Sequence, residues 1–363
     1  MDYHEKAVLC RLHAIKGLGN ASLWRIKKEF GSFRAFWTAD KRILYNSFLR
    51  NELIDEIVSL RNSNPCKYLE YLDAQGIKII TVEEELYSPM LLNISNPPYI
   101  LYCLGKTELM SKFALAIVGA RNATPYGRKI ARNFAGELSK RGIVIVSGMA
   151  RGIDAEAHLG VLEAGGETIA VLGSGINIIY PRENREIFKK LIKKGLIISE
   201  FPLNTPPDSG NFPQRNRVIS GMSHGVLIVE AKIRSGALIT ADLALEQGRD
   251  VFSVPGPITS KMSEGCHNLI KQGAKLTTCV EDILEEYSFV YKPQKAKNLS
   301  EEDLLLLDSD EILILQYMGY EPCHIDDLVN MIGLDVGNLS MILLQLELKG
   351  LIKAMPGNYY LRN

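Results

Sequence analysis

The sequence predicts an α/β protein: a parallel sheet with helices on both faces, flanked by an all-helical N-terminal region and a C-terminal winged helix. Three observations carry this. From Ala114 onward, short apolar runs alternate with helical stretches. Up to about residue 65, apolar residues recur only at helical spacing. After residue 301, three helical patterns are followed by two short strands.

The apolar runs are "ALAIVGA", "GIVIVSG", "TIAVLGSG", "GLIISEF", "GVLIVEA" and "DVFSVPG". They are nearly continuous rather than alternating, as in strands buried on both faces. The helical stretches between them, such as "GRKIARNFAGELSKRG" and "NREIFKKLIKKG", make each a crossover between parallel neighbours. Several runs end in small residues: Gly119, Ser147-Gly148, Gly173-Ser174-Gly175 and Pro255-Gly256. In such sheets ligands sit at the carboxyl ends of the strands, where small residues admit close approach to the backbone.

Upstream, "AVLCRLHAI", "ASLWRIKKEF" and "NELIDEIVSL" read as helices. The turn "KGLGNAS" separates the first two, with Asn20 or Ser22 as cap of the second. "IKIITV" and "YILYCLG" read as strands that bridge to the sheet, and "YKPQKAKNLSEE" reads as a linker. The expected organisation is therefore residues 1–65 helical, 66–290 the α/β sheet, 291–300 a linker and 301–363 a winged helix.

Composition narrows the function classes. The chain has 363 residues, with 42 basic and 42 acidic side chains. Six cysteines form no CxxC pair, which argues against a zinc site or disulfide scaffold. No metal and no cofactor are expected. No apolar run approaches the ~20 residues of a membrane span, and the N-terminus lacks the pattern of a signal peptide, so a cytoplasmic location is expected. Neutrality is an average over unlike parts. Residues 1–66 hold 11 Lys+Arg against 7 Asp+Glu, residues 116–290 hold 21 against 18, and residues 298–363 hold 3 against 11. Local patches decide where a polyanion docks.

The candidate site gathers at the strand ends. "IVGARNATPYG" lacks the GxGxxG and P-loop patterns. Gly119 and the amides after it can cradle a phosphate, with Arg121 as a bidentate ligand or as the partner of a nearby carboxylate. In "SGMARGIDAEAH", Ser147 and Gly148 end a strand and Arg151 can reach the crevice. Asp154 and His158 are four apart on one helical face; they either organise the turn or serve as acid–base groups. Ser235 and Gly236 suit a helix cap that offers amides to an anion. "FPQRNR" combines Phe212, Arg215, Asn216 and Arg217 at the entrance to a core element: a flat face for a base and guanidiniums for phosphate. The alternative for either arginine is a brace against Glu200 or Glu230. Here Arg215 is expected to brace, and Arg217 and Arg121 to grip. In the tail, "DVGNLSMILLQLELKG" holds the recognition-helix position with a single lysine. Duplex readers place Lys and Arg there, so this module is expected to contact protein or to regulate.

Taken in order, "YSPMLLNISNPPYILYCLG", "AIVGARNATPYG", "IVSGMARGIDAEAH", "TIAVLGSGINIIYPREN", "LIISEFP", "FPQRNRVISGMS", "VLIVEAKIRSGALITADLALEQGRDVFSVPG" and "GCHNLIKQGA" resemble the DNA-processing protein A family, also called Smf, over roughly residues 80–285. "IKGLG" is similar to the helical-hairpin or SAM-like domain common in that family. The resemblance implies an extended Rossmann fold that binds single-stranded DNA without marked sequence preference. It also implies help in loading the RecA recombinase during natural transformation, a homodimer formed through the central domain, and no established catalysis. It assigns DNA contacts to Gly119, Arg121, Ser147, Gly148, Phe212, Arg215, Asn216 and Arg217. Gln214 stands where some members are basic. The alternative reading is a phosphoribohydrolase-like nucleotide enzyme on the same fold, with Asp154, His158 or Glu230 as acid–base groups.

Overall fold

In the computed structural model, residues 1–288, 308–318, 323–349 and 351–362 are described. The chain divides into two units, Met1–Gln294 and Lys295–Asn363. The linker expected at 291–300 lies outside the described residues.

The first unit is built on a nine-stranded sheet in the order β1-β2-β6-β5-β4-β3-β7-β8-β9. The strands are β1 Lys78–Thr81, β2 Ile100–Gly105, β3 Ala114–Val118, β4 Val144–Ser147, β5 Thr168–Leu172, β6 Leu196–Ser199, β7 Gly225–Ile228, β8 Asp250–Ser253 and β9 Lys275–Leu276. All pairs from β6 through β9 are parallel, and β2 is antiparallel to both neighbours. The six apolar runs are β3 to β8. Their continuity has a direct cause: helices cover both faces.

Helices α1 to α6 (Tyr3–His13, Asn20–Phe30, Phe33–Thr38, Lys41–Tyr45, Asn51–Leu60 and Cys66–Ala74) precede the sheet. The others are α7 Pro89–Leu92, α8 Pro125–Lys140, α9 Ile153–Glu163, α10 Arg185–Lys194, α11 Asn211–Gly221, α12 Gly236–Glu246, α13 Glu264–Lys271 and α14 Val280–Leu284. Alternation along β3 sets the layers. Leu115 and Ile117 pack with Ala131, Phe134, Leu138, Ile153 and Ala157 of α8 and α9. Ala114, Ala116 and Val118 pack with Val218, Ile219, Ala237 and Ala241 of α11 and α12. Each fully buried leucine or isoleucine contributes ~1.5–3 kcal/mol relative to exposure.

The N-terminal helices share one core with the sheet edge, joining Leu9, Leu12, Phe33 and Phe36 to Tyr99, Tyr102 and Ile197. Neither Asn20 nor Ser22 caps α2. Gly19 holds the cap position without a side-chain bond. Asn20 instead donates to the Pro97 carbonyl (2.9 Å) and accepts from the Tyr99 amide (2.7 Å), fastening the hairpin to β2.

The second unit has helices Ser309–Tyr317, Ile325–Ile332 and Val336–Leu348, and a three-stranded sheet of Cys323–His324, Tyr359–Arg362 and Ile352–Met355 in that order. Ile314, Leu328, Leu339, Leu343, Leu346 and Ile352 form its core. This is a winged helix. No single helix among the described residues is long and apolar enough to cross a membrane.

Candidate functional site

From β3 the chain steps outward through β4, β5 and β6, then returns to lay β7 on the other side of β3. The loops after β3 and β7 therefore leave toward opposite faces. A crevice opens between them at the carboxyl ends of the strands, where doubly wound sheets bind ligands. Its volume is about 600 Å³. The loops after β3, β4 and β7 line it, with the face of α11 that bears Phe212, Arg215, Asn216 and Ile219. A smaller cavity of about 160 Å³ adjoins it between Arg121, Gly148, Arg151, Gly173, Tyr180 and Phe212.

Helix α11 holds the key cluster, and its geometry follows from position. Pro213 falls in the first turn, where the amides have no partner within the helix, so the ring costs no hydrogen bond. At 3.6 residues per turn, Phe212, Arg215 and Ile219 face the crevice while Gln214 and Arg217 face away.

Arg215 is a brace. It is buried, and its Nη1 donates to the carbonyls of Gly148 (2.6 Å) and Val171, tying the ends of β4 and β5 to α11. Its Nε donates to Asn216 Oδ1 at 3.1 Å. Burial lowers its pKa to about 10, so it remains charged at neutral pH. A Cβ on Gly148 would meet Arg215 Nη2 and Asp154 Oδ2, each at 2.7 Å. Glycine there is a packing requirement of the brace.

Arg217 does not line the crevice, contrary to the gripping role expected for it. It is buried behind α11 and paired with Glu200. Among the described residues, Nε and Nη1 of Arg217 and Oε1 of Glu200 have no hydrogen-bond partner. Burial pushes the Glu200 carboxyl up to about 7, against the pull of Arg217. Ser147 is also unavailable to a ligand: it is fully buried, and its hydroxyl donates to the Ile117 carbonyl at 2.6 Å.

The exposed half of the site is different. Arg121 is exposed, lies 4.8 Å from the Phe212 ring centre and makes no ion pair among the described residues. Phe212 is half-buried and packs on Gly173, where a Cβ would come within 2.8 Å of the ring. Tyr180 sits beside it, ring centres 5.9 Å apart. Lys232 and Arg234, in the loop after β7, are exposed on the opposite rim and likewise unpaired among the described residues. The sequence reading missed Tyr180, Lys232 and Arg234. Their signal was present in "IIYPREN" and in "KIR", directly before the Ser235 cap; Ser235 Oγ accepts from the Ala237 amide at 3.3 Å. Gly119 lines the crevice floor. Arg151 lines the smaller cavity and pairs with Glu183 at 2.5 Å on the surface, an exposed pair worth ~0–1 kcal/mol.

The acid–base candidates are occupied elsewhere. Asp154 is buried beside Arg215 and accepts from the Ala150 amide (3.3 Å); burial raises its pKa against the pull of Arg215. His158 Nδ1 bonds Thr168 Oγ1 at 2.8 Å, and burial lowers its pKa to about 3, so the ring is neutral. Glu230 accepts from the amide (2.9 Å) and hydroxyl (2.5 Å) of Thr124, the cap of α8. They do not converge on one reacting position. Among the described residues no group of three or more His, Cys, Asp or Glu is placed to hold a metal ion.

The site is thus a cleft with Arg121 on one rim, Lys232 and Arg234 on the other, one half-exposed aromatic pair and a braced floor. Known proteins similar to the whole chain are as follows. Residues 78–288 match the family model described as DNA recombination-mediator protein A, and residues 295–358 match a DprA winged helix domain. Protein Smf of Escherichia coli is 43% identical, over 80% of this chain and 78% of that protein. The X-ray structure of DNA processing protein A from Streptococcus pneumoniae superposes with a TM-score of 0.62 at 32% identity, covering 79% of this chain and 98% of that one. A structure of DNA processing protein A from Helicobacter pylori, described for its single-stranded DNA binding mode, gives a TM-score of 0.54 at 30% identity over 59% of this chain and 98% of that one.

Proposed function

Because the chain belongs to the DNA recombination-mediator protein A family, we propose that its crevice binds single-stranded DNA and that the protein hands this strand to a RecA recombinase during recombination of incoming DNA. The observation that carries the reading is the pairing of unpaired cations with an aromatic ledge: Arg121, Lys232 and Arg234 around Phe212 and Tyr180. Guanidinium and ammonium groups neutralise consecutive phosphates. The aromatic pair stacks exposed bases, a contact that tolerates any sequence because every base has a π face.

The braced floor explains how the cleft keeps its shape. Arg215 fixes the ends of β4 and β5 from beneath, so the rim cations face phosphate while the buried ones hold the strands. Gly119, Gly148 and Asn216 act as floor, admitting the backbone of the strand rather than reading bases. Arg151, held by Glu183, lines the adjoining cavity and is not counted among the phosphate ligands. The RecA step, natural transformation and a homodimer through the sheet unit rest on the family resemblance.

The test is fluorescence anisotropy with labelled single-stranded and double-stranded oligonucleotides of several sequences at two salt concentrations. The proposal expects tighter binding of every single strand than of its duplex, with affinity falling as salt rises. Equal affinity for duplexes would reject it.

A further inference from the structure

The winged helix presents an outward face that its own core does not use. On the helix Val336–Leu348, Leu339, Leu343 and Leu346 are fully buried. On the opposite side Met341 is 57% exposed and Leu344 56%. With Gly337 they follow i, i+4, i+7 spacing, one stripe along the axis. Val336 (51%) and Met331 (57%) are also exposed, at the start of this helix and near the end of the one before it. The one charged residue within the helix, Glu347, is engaged in accepting from the Ala354 amide at 2.9 Å. In a duplex reader this helix carries Lys and Arg toward the groove.

Charge selects the occupant. Residues 298–363 hold 3 Lys+Arg against 11 Asp+Glu, a net of −8, and Asp326, Asp327 and Asp335 are exposed at the N-terminal ends of the module's second and third helices. A nucleic acid or an anionic bilayer would meet like charge, and so would a second copy of the module. Thioethers adapt their shape to varied apolar partners, and an uncharged helical stripe with acidic surroundings complements a helix of apolar stripe and basic flanks.

We propose that this face is a docking site for a basic amphipathic helix of a partner protein. The experiment uses the full chain and two labelled peptides of leucine and lysine with identical composition, one in amphipathic helical order and one scrambled. The ordered peptide is expected to bind at least about tenfold more tightly, as burial of one or two leucines implies. The exposed substitutions Met341→Ser and Leu344→Ser, combined, remove that preference while leaving the melting curve and single-stranded oligonucleotide binding unchanged. Each substitution alone removes part of it. Equal binding of both peptides reduces the face to charge and overturns the proposal, as does a double variant that keeps the preference. Sedimentation and vesicles of anionic phospholipid give the other arms. Loss of self-association in the double variant assigns the face to a second copy, and vesicle binding lost in that variant assigns it to lipid; either overturns the proposal.

Discussion

Replacing Arg217 with methionine separates bracing from gripping. The change keeps the volume of the side chain but leaves Glu200, 6% exposed, without its cation. Burial already pushes that carboxyl up to about 7 with Arg217 present, so without it the group is neutral at pH 7. Titration adds little to the deficit, since at about 7 the parent's Glu200 carboxyl is already half neutral at pH 7; the cost is the loss of the pair itself. Removing one partner of a buried pair costs ~3–5 kcal/mol. The melting temperature should fall by roughly 5–10 °C at pH 7. The deficit should shrink toward pH 5, because the parent's own Glu200 is neutral there and Arg217 has lost the carboxylate it pairs with. Replacing both Arg217 and Glu200 with leucine should recover most of the loss, since the pair leaves three polar atoms unpartnered. Throughout, the salt dependence of oligonucleotide binding by the folded protein should stay unchanged. Thermal melts across pH and salt titrations check both parts. An Arg217→Met protein that melts like the parent but binds DNA with a shallower salt slope would refute the assignment of Arg217 to the fold.

Other outcomes follow from the same geometry. Phe212→Ala should weaken single-strand binding by about 5- to 150-fold for all sequences, the equivalent of ~1–3 kcal/mol of stacking, measured by anisotropy. Gly148→Ala drives a methyl against Arg215 and Asp154 and should cost ~1–3 kcal/mol by overpacking, seen as a lower melting temperature. Burial lowers the pKa of His13 to about 4 and of His158 to about 3. The folded state then binds fewer protons than the unfolded state below pH 6.5, so stability should be lost as pH falls from 6.5 toward 4. Glu200 between 4.5 and 7, and Asp154, whose pKa burial also raises, act oppositely and stabilise the acid side, so the histidine part is isolated by substitution. Melts at stepped pH, compared with His158→Gln, which should flatten the decline, check this.

The strands were legible because burial on both faces writes an apolar run into the sequence. The crevice was legible as well, since a parallel sheet places it at the ends of those runs. The burial of Arg217 is not legible in "FPQRNR" taken as a cluster without a period. Once it is a helix, residues 215 and 217 stand about 200° apart, and only one of them can face the cleft. The burial of Ser147 is not legible either, because a hydroxyl at a strand end looks the same in sequence whether it faces ligand or the next strand. Lys232 and Arg234 are 111 and 113 residues beyond Arg121 in sequence. Only the return of β7 to the side of β3 brings them to the same cleft.

The most direct measurement is the salt dependence of affinity for a single-stranded oligonucleotide, comparing the parent with Arg121→Ala and with Arg121, Lys232 and Arg234 all changed to alanine. Each phosphate neutralised on a single strand contributes a slope of about −0.7 in log K against log salt. Three exposed cations predict a slope near −2 per protomer, a loss of about 0.7 in the single variant and a nearly flat line in the triple variant, with melting temperatures preserved. A slope that survives the triple variant would contradict the crevice as the track for single-stranded DNA.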